Sequence, residues 1–158
     1  MQVVLRVAER RDAERLNTAL RRLSNELDDE HIAQAADLEG VAWSDVPGFR
    51  AVLAETDKVL GVALYSPVFS TTRGSAGIFV SDLWAAPEER GKRLGARLLR
   101  AALEDGGELW GANFIKLSVY DNSPNARRFY DRLGFEPLQG QNEYILNNAG
   151  CAALRGEE

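Results

Sequence analysis

The chain has 158 residues, of which 45% are hydrophobic, and its formal net charge is −5. This size and composition predict one domain with its own core, and no segment approaches the roughly 18 apolar residues of a membrane span. The acidic balance argues against nucleic acid as a partner, because duplex binding relies on a basic surface. With one histidine and one cysteine, a metal site is not expected, and the lone Cys151 permits no internal disulfide, as is usual in the cytoplasm.

Hydrophobic patterning in the first half of the chain predicts a short strand, a helix and then three further strands. The first strand lies near residues 3–7, and Asp12 is placed to cap the helix that follows. Residues 26–39 are acidic and suit either a helix or a loop. The apolar stripe of the first helix consists of Leu16, Ala19, Leu20 and Leu23. The three later strands lie near residues 50–54, 58–65 and 77–85.

A basic, glycine-bearing turn from Arg90 to Ala96 follows the last of these strands, which Pro87 ends. Such a turn at the start of a helix presents unpaired backbone N–H groups at the positive end of the helix dipole, an arrangement that binds phosphate. The turn is neither a P-loop nor the G-x-G-x-x-G fingerprint, and a solvated basic helix start is the alternative interpretation. The helix is predicted to reach Asp105 and to stop at Gly106-Gly107.

The last third of the chain predicts a strand, a turn and a helix. Apolar residues alternate from Ile115 to Val119, and the turn that follows provides Ser123 as N-cap and Pro124 as the first helical residue. Gly134 is predicted to close the helix. Tyr130 in this helix is either a core aromatic or a donor of a phenolic proton. A final strand is expected at residues 144–146.

These two segments resemble the sequence hallmarks of the GNAT superfamily of N-acetyltransferases. The family's first motif is arginine or glutamine, two residues, glycine, one residue, then glycine or alanine; Arg90 and Gly95 match its ends, and Arg93 occupies the first glycine position. The second motif, A-x-x-F-Y-x-x-x-G-F, surrounds Tyr130, and Ser123 stands where the family often has asparagine. The resemblance covers residues 3–146.

Residues 37–55 and 60–82 look like the diamine and polyamine acetyltransferase branch, which includes spermidine/spermine and thialysine acetyltransferases. The shared features are an aromatic-Ser-Thr run followed by glycine, Phe69 to Gly74, and an acidic pair before the hydrophobic end of the cofactor strand. That pair is usually Glu-Asp in this branch, and here it is Ser81-Asp82.

The resemblance implies an α/β acyl-CoA N-acyltransferase fold, a central mixed and mostly antiparallel sheet flanked by helices. A single domain is expected over residues 1–147, with a flexible tail at 148–158. The implied activity is direct acetyl transfer from acetyl-CoA, without a metal, to a primary amine of a small diamine, polyamine or amino-acid-like molecule, in a cytoplasmic homodimer. Two alternatives stay open: a protein- or antibiotic-directed acetyltransferase, and a non-catalytic CoA-binding domain, which Arg93 and Ser81 favour.

The resemblance also implies residue roles. Tyr130 is expected to be the general acid, Asp82 the general base and Ser81 a residue that positions water. Expected cofactor-binding residues are Leu83, Trp84, Ala85, Arg90, Gly91, Lys92, Arg93, Leu94, Gly95, Ala96, Asn122, Ser123, Asn125 and Ala126. The acidic residues Asp28, Asp29 and Glu30 form a candidate site for a second ammonium group, with a solvated, dipole-favoured helix start as the alternative. His31 beside them is expected to be a polar face residue, because no G-x-S-x-G elbow accompanies it.

Overall fold

The computed structural model describes residues 1–157, which divide into two compact units, Met1–Tyr120 and the segment from Asp121 onward. The single domain predicted for residues 1–147 spans both units and stays a prediction. In chain order the first unit contains β1 (Val4–Val7), a 3-10 turn (Arg10–Asp12), α1 (Ala13–Glu26), α2 (Ala35–Ala42), β2 (Arg50–Glu55), β3 (Val59–Ser70), β4 (Ser75–Ala85), a second 3-10 turn (Pro87–Glu89), α3 (Leu94–Trp110) and β5 (Ile115–Leu117).

The five strands form one sheet in the order β1-β2-β3-β4-β5. Neighbouring strands from β1 to β4 are antiparallel, and β5 runs parallel to β4. The predicted mixed, mostly antiparallel sheet is therefore confirmed. Consecutive residues of β2 and β3 are buried, at Ala51–Ala54 and Leu60–Tyr65, so both faces of the central strands are covered. Helices α1 and α3 pack on this sheet through buried residues such as Leu16 and Leu98.

Strand β4 contains an irregularity that shapes the site. Leu64 pairs with Asp82 and the next residue, Tyr65, pairs with Val80, so Ser81 is an extra residue on the β4 side. A bulge of this kind bends the strand and re-aims its side chains. On the other edge of β4, β5 pairs only with Ile78–Val80. The stretch of β4 after the bulge therefore has β3 on one edge, and on the other edge it pairs with no strand of residues 1–157.

Helix α3 extends beyond the predicted stop at Gly106-Gly107 and ends at Trp110, with Gly111 in the left-handed conformation at φ 69°. Gly106 is buried against the sheet, and a Cβ at this position would lie 2.5 Å from Ile78 Cγ2. Glycine is needed here for close approach of helix and strand. The prediction was wrong because a packing glycine and a helix-ending glycine look the same in sequence.

Asp12 occupies the expected N-cap position of α1, but its side chain accepts no backbone N–H of the first turn, although Arg15 Nη1 donates to Oδ1 at 3.3 Å. The carboxylate is 1% exposed and accepts instead from the Glu9 amide at 2.8 Å and from the Arg6 guanidinium at 2.8 and 2.9 Å. The predicted cap is therefore a buried ion pair, because Arg6 on β1 competes for the same oxygens.

The second unit contains α4 (Pro124–Leu133) and α5 (Asn148–Leu154). Helix α4 begins as predicted, with Ser123 at the N-cap and Pro124 in the first turn, and it ends at Gly134 with φ 95°. The strand predicted at residues 144–146 is absent, and these side chains are exposed. The predicted flexible tail includes α5, in which Gly150 packs on Leu146.

Candidate active site

The turn that precedes α3 has a backbone suited to anions. Gly91 and Arg93 are left-handed, with φ 82° and φ 64°, and Arg93 is the N-cap residue of the helix. The first backbone bond of the helix runs from Arg97 N to Arg93 O at 3.1 Å. The amides of the first three helical residues therefore have no acceptor within the helix, and they lie at the positive end of the dipole. These amides belong to Leu94, Gly95 and Ala96.

The three cations of this turn have different partners. Arg90 donates from Nε to Ala85 O at 3.1 Å and from Nη2 to Glu26 Oε1 at 2.5 Å. Lys92 Nζ lies 3.6 Å from Glu89 Oε2. The side chain of Arg93 is exposed, and its guanidinium makes no hydrogen bond or ion pair with any residue from 1 to 157. Arg93 is thus the cation of the turn whose charge is uncompensated.

The free edge of β4 presents backbone amides next to this turn. Ala86 N donates to Leu60 O at 2.8 Å, so its amide points toward β3. Successive amides of a strand point to opposite edges, which directs Trp84 N–H toward β3 and the amides of Leu83 and Ala85 toward the edge that β5 leaves unpaired. Of these three predicted cofactor-binding residues, Leu83 and Ala85 therefore have amides on the open edge, and Trp84 does not.

Asp82 and Ser81 lie at the bulge of β4, which changes the direction in which the side chains of the strand point. Burial raises the pKa of Asp82, and the Ser81 hydroxyl and the nearby His31 oppose this effect. Ser81 Oγ also donates to Leu64 O at 3.4 Å. A carboxyl group with a raised pKa accepts a proton more readily near neutral pH than an ordinary aspartate does. Asp82 is therefore chemically suited to the predicted role of general base.

The loop after α1 brings one of the three predicted acidic residues to Tyr120. Tyr120 OH donates to Asp29 Oδ2 at 2.9 Å, and this hydrogen bond, with the negative charges of Asp29 and Asp82, raises the pKa of Tyr120. The side chains of Asp28 and Glu30 are exposed and have no hydrogen bond or ion pair among residues 1–157. Tyr120 was missed because it reads as one more residue of the alternating strand pattern.

His31 ties this loop to α1. Its Nδ1 lies 2.9 Å from Ser24 Oγ, and its Nε2 lies 2.9 Å from Asn17 Oδ1. Asn17 Nδ2 donates to Ala33 O at 3.1 Å, so Oδ1 is the side that faces the imidazole and Nε2 carries the hydrogen. Both ring nitrogens are therefore engaged, and His31 holds the acidic loop in place.

The remaining predicted residues lie in the second unit. Within α4, Arg128 Nη2 donates to Asn125 Oδ1. Burial raises the pKa of Tyr130 to about 12, and its ring packs edge-on between Phe129 and Phe135, with centroids at 5.1 and 5.3 Å. A phenol in this state keeps its proton at neutral pH and has it available to donate. The residues before and at the start of α4 are Asn122, Ser123, Asn125 and Ala126.

Residues 1–157 contain no group of three or more His, Cys, Asp or Glu side chains able to hold a metal ion. Across the same residues, no helix combines the length and apolar character required to cross a bilayer.

Sequence comparison finds relatives that are named N-acetyltransferases. The uncharacterized N-acetyltransferase YhfO of Bacillus subtilis is 28% identical over 124 residues, 75% of this chain and 83% of that protein. The thialysine N-epsilon-acetyltransferase of Bos taurus is 24% identical over 147 residues, 86% of this chain and 85% of its own. The spermine/spermidine N(1)-acetyltransferase of Bacillus subtilis is 28% identical over a shorter 80 residues, 49% of this chain and 53% of that protein.

Solved structures share the fold. The integron cassette protein VCH_CASS6 from V. cholerae superposes with a TM-score of 0.79 at 22% identity, covering 98% of both chains. The aminoglycoside N-acetyltransferase AAC(6′)-Iy in complex with CoA gives a TM-score of 0.74 at 18% identity, covering 92% of this chain and 95% of that one. The family model of the GNAT acetyltransferases matches residues 10–135, and the chain belongs to that family.

Proposed function

We propose that this acetyltransferase moves an acetyl group from acetyl-CoA to a primary amine of a small diamine, polyamine or amino-acid-like molecule, by direct transfer in a ternary complex. The observation that carries the proposal is the open edge of β4, where the amides of Leu83 and Ala85 lie within three residues of Asp82. One strand thus supplies two hydrogen-bond donors and a carboxylate of raised pKa at a single place.

The cofactor fits the residues that surround this edge. The amides of Leu94, Gly95 and Ala96, with the unpaired charge of Arg93, would hold the pyrophosphate. Acetyl-CoA, when bound, supplies the acetyl thioester. The amides of Leu83 and Ala85 would donate to the carbonyl oxygen as negative charge develops on it, which is the role of an oxyanion hole.

Asp82 would take the proton of the acceptor amine, directly or through a water molecule that Ser81 positions. A free alkylamine has a pKa of about 10.4, so only about one molecule in a thousand is neutral at pH 7.4. An enzyme that uses such an amine therefore needs a proton acceptor near the attacking nitrogen. The raised pKa of Asp82 matches that requirement.

Tyr130 would donate a proton to the sulfur of CoA, a role that the family resemblance assigns to this position. Its raised pKa of about 12 keeps the phenol protonated at neutral pH. Since the amine attacks the thioester directly, no covalent enzyme intermediate is required, and Cys151 has no part in the reaction.

A cationic acceptor suits the acidic surroundings. Asp29, which Tyr120 holds at 2.9 Å, is close enough to Asp82 for both charges to act on the same phenol. The exposed carboxylates of Asp28 and Glu30 add to the negative field of a chain whose net charge is −5. Spermine, spermidine and thialysine, named for two of the relatives, are amines of this kind.

Thiol release from acetyl-CoA tests the proposal, with diamines, polyamines, amino acids, aminoglycosides and peptides as acceptors. Release stimulated by the first three classes supports it. Stimulation by aminoglycosides or peptides alone would identify an antibiotic- or protein-directed enzyme. Absence of release, together with a melting temperature that CoA raises, would identify a non-catalytic CoA-binding domain.

We also infer from the family resemblance that the protein is a cytoplasmic homodimer. Sedimentation of the purified protein tests the oligomeric state: a monomer at micromolar concentration would contradict it, and a species of twice the 17.4 kDa chain mass is the expected result.

A further inference from the structure

The carboxylate of Glu26 connects strand β4 with the turn of residues 90–96, which is called the cofactor turn below. Its Oε2 accepts from Trp84 Nε1 on β4 at 2.7 Å, and its Oε1 accepts from Arg90 Nη2 at 2.5 Å. The indole is 2% exposed, and a buried indole N–H requires an acceptor. Arg22 covers the ring, with its Cζ 4.6 Å from the ring centroid.

The position of Glu26 in α1 is unfavourable by itself. It is the last residue of the helix, where the negative end of the dipole disfavours a carboxylate. A carboxylate near a phosphate-binding turn would also repel the ligand unless a cation neutralised it. The hydrogen bonds from Trp84 and Arg90 offset both unfavourable effects. This indicates that the carboxylate serves to hold those two side chains in place.

Arg90 is consequently held at two points. Its Nε donates to Ala85 O at 3.1 Å while Nη2 contacts Glu26, so the guanidinium bridges the open edge of β4 and the end of α1. Only the planar fork of arginine makes both contacts, since lysine has the charge on a single flexible ammonium. The anchored Arg90 fixes the start of a turn in which Gly91 and Arg93 are both left-handed.

We propose that Glu26 is a positioning residue for the cofactor turn: through Arg90 it orders the backbone that receives the phosphates of CoA. The inference rests on the proposed function, because it assumes that the turn binds CoA. Without the Glu26 anchor, the free turn has to be ordered when CoA binds, and that entropy cost weakens binding. In this arrangement Arg90 stabilises the conformation of the turn, and Arg93 and the first amides of α3 contact the phosphates.

Direct binding of CoA to Glu26→Gln and Arg90→Lys, measured by calorimetry, tests this role. Glutamine has one carbonyl oxygen for two donors, and lysine preserves the charge of the turn but not the double contact. Each single variant is expected to raise the Kd for CoA by about five-fold or more. The Kd of the double variant should not exceed that of the single variant that binds CoA more weakly, because both changes break the same contact. Glu104→Gln, which breaks an exposed pair with Arg100 on α3, is the control and is expected to bind CoA like the wild type.

The results that would contradict the role of Glu26 differ from those that would contradict the proposed transfer. A Glu26→Gln variant that binds CoA as tightly as the wild type or more tightly would overturn the inference, since removing a carboxylate near phosphate strengthens binding if charge alone matters. An Arg90→Lys variant with wild-type affinity would overturn it too. A wild type that binds CoA but releases no thiol with any amine would count against the proposed transfer and leave this test in force.

A kinetic readout separates positioning from general destabilisation. At saturating acetyl-CoA, the kcat of Glu26→Gln should stay within about two-fold of the wild type while its KM for acetyl-CoA rises, because the turn is ordered once the ligand is bound. A fall in melting temperature with unchanged KM would show a purely structural contact and would contradict the proposal.

Discussion

At the scale of single residues, Arg93 carries both a conformational cost and a charge. Its φ of 64° is left-handed, a conformation that costs an L-residue roughly 1–2 kcal/mol and that glycine adopts freely. The family has glycine at this position. Compared with glycine, Arg93 therefore adds backbone strain to this chain, and it also adds an uncompensated positive charge beside the first amides of α3.

Replacing Arg93 with glycine should raise the free energy of unfolding by about 0.5–1 kcal/mol, since relief of strain exceeds the added entropy of the unfolded chain. Urea unfolding measures the change. Arg93→Ala, which loses the charge but preserves the strain, is the matched control and should bring no gain. Equal stability of the glycine and alanine variants would show that the backbone is not strained.

Tyr130→Phe tests the proposed general acid. Removal of the hydroxyl should lower kcat by about 10²-fold or more, because the phenyl ring has no proton to donate, while the Kd for acetyl-CoA stays nearly unchanged. The ring contacts with Phe129 and Phe135 are preserved, so stability should change little. Undiminished turnover would assign Tyr130 to the core and remove it from the mechanism.

At the scale of elements, the packing of α3 on β4 determines where the cofactor turn lies. Gly61 on β3 leaves space for Leu98 and Leu94, since a Cβ there would lie 2.9 Å from Leu98 Cδ1. Gly106 does the same at the other end of the helix, against Ile78. The helix therefore lies close to the sheet along its length, and its first turn meets the end of β4.

Gly106→Ala should destabilise the protein by about 1–3 kcal/mol, although alanine is the better helix former, because its Cβ would lie 2.5 Å from Ile78 Cγ2. Gly107→Ala is the matched control. A Cβ at that position meets no atom closer than Ala112 O at 3.5 Å, so this variant should be stabilised by up to about 1 kcal/mol. Thermal unfolding of both variants measures these changes. A Gly106→Ala variant more stable than the wild type would contradict the close packing of Gly106 on Ile78.

At the scale of the whole molecule, two aspartates have opposite effects on the pH dependence of stability. Hydrogen bonds from Arg6 lower the pKa of Asp12 to about 2. Because the folded value lies below the unfolded one, the ion pair contributes stability at neutral pH that is lost as pH falls from about 4 through about 2. Asp12→Asn should remove this acid-sensitive part of the unfolding curve, which guanidinium titrations across that range measure.

Asp82 has the reverse sign, since burial raises its pKa in the folded state. The ionised form is disfavoured by folding, so its cost appears as pH rises above the ordinary carboxyl value and persists at neutral pH. Asp82→Asn should therefore be more stable than the wild type at pH 7, with the gain vanishing in acid, and should have little transferase activity. A variant that loses stability at pH 7 would show that the carboxylate is needed for the fold.

Much of the fold was accessible from the sequence because it rests on local patterns. Apolar alternation located the strands, the 3.6-residue stripe located α1, and Ser123, Pro124 and Gly134 marked the ends of α4. The wrong predictions involve residues whose role depends on whether another element supplies a partner. Gly106 meets Ile78, Asp12 meets Arg6, and the apolar run at 144–146 has no strand to pair with.

The sequence by itself determined the family, through the spacing of Arg90 and Gly95 and the motif around Tyr130, since motif chemistry is encoded in neighbouring residues. Only the tertiary structure decided that Tyr120 holds Asp29, that Glu26 anchors Arg90, and that the amides of Leu83 and Ala85 face an open edge. These contacts join residues up to 91 positions apart. The physical reason is that hydrogen bonds of this range depend on which strands pair and where the pairing ends, and no local pattern records that.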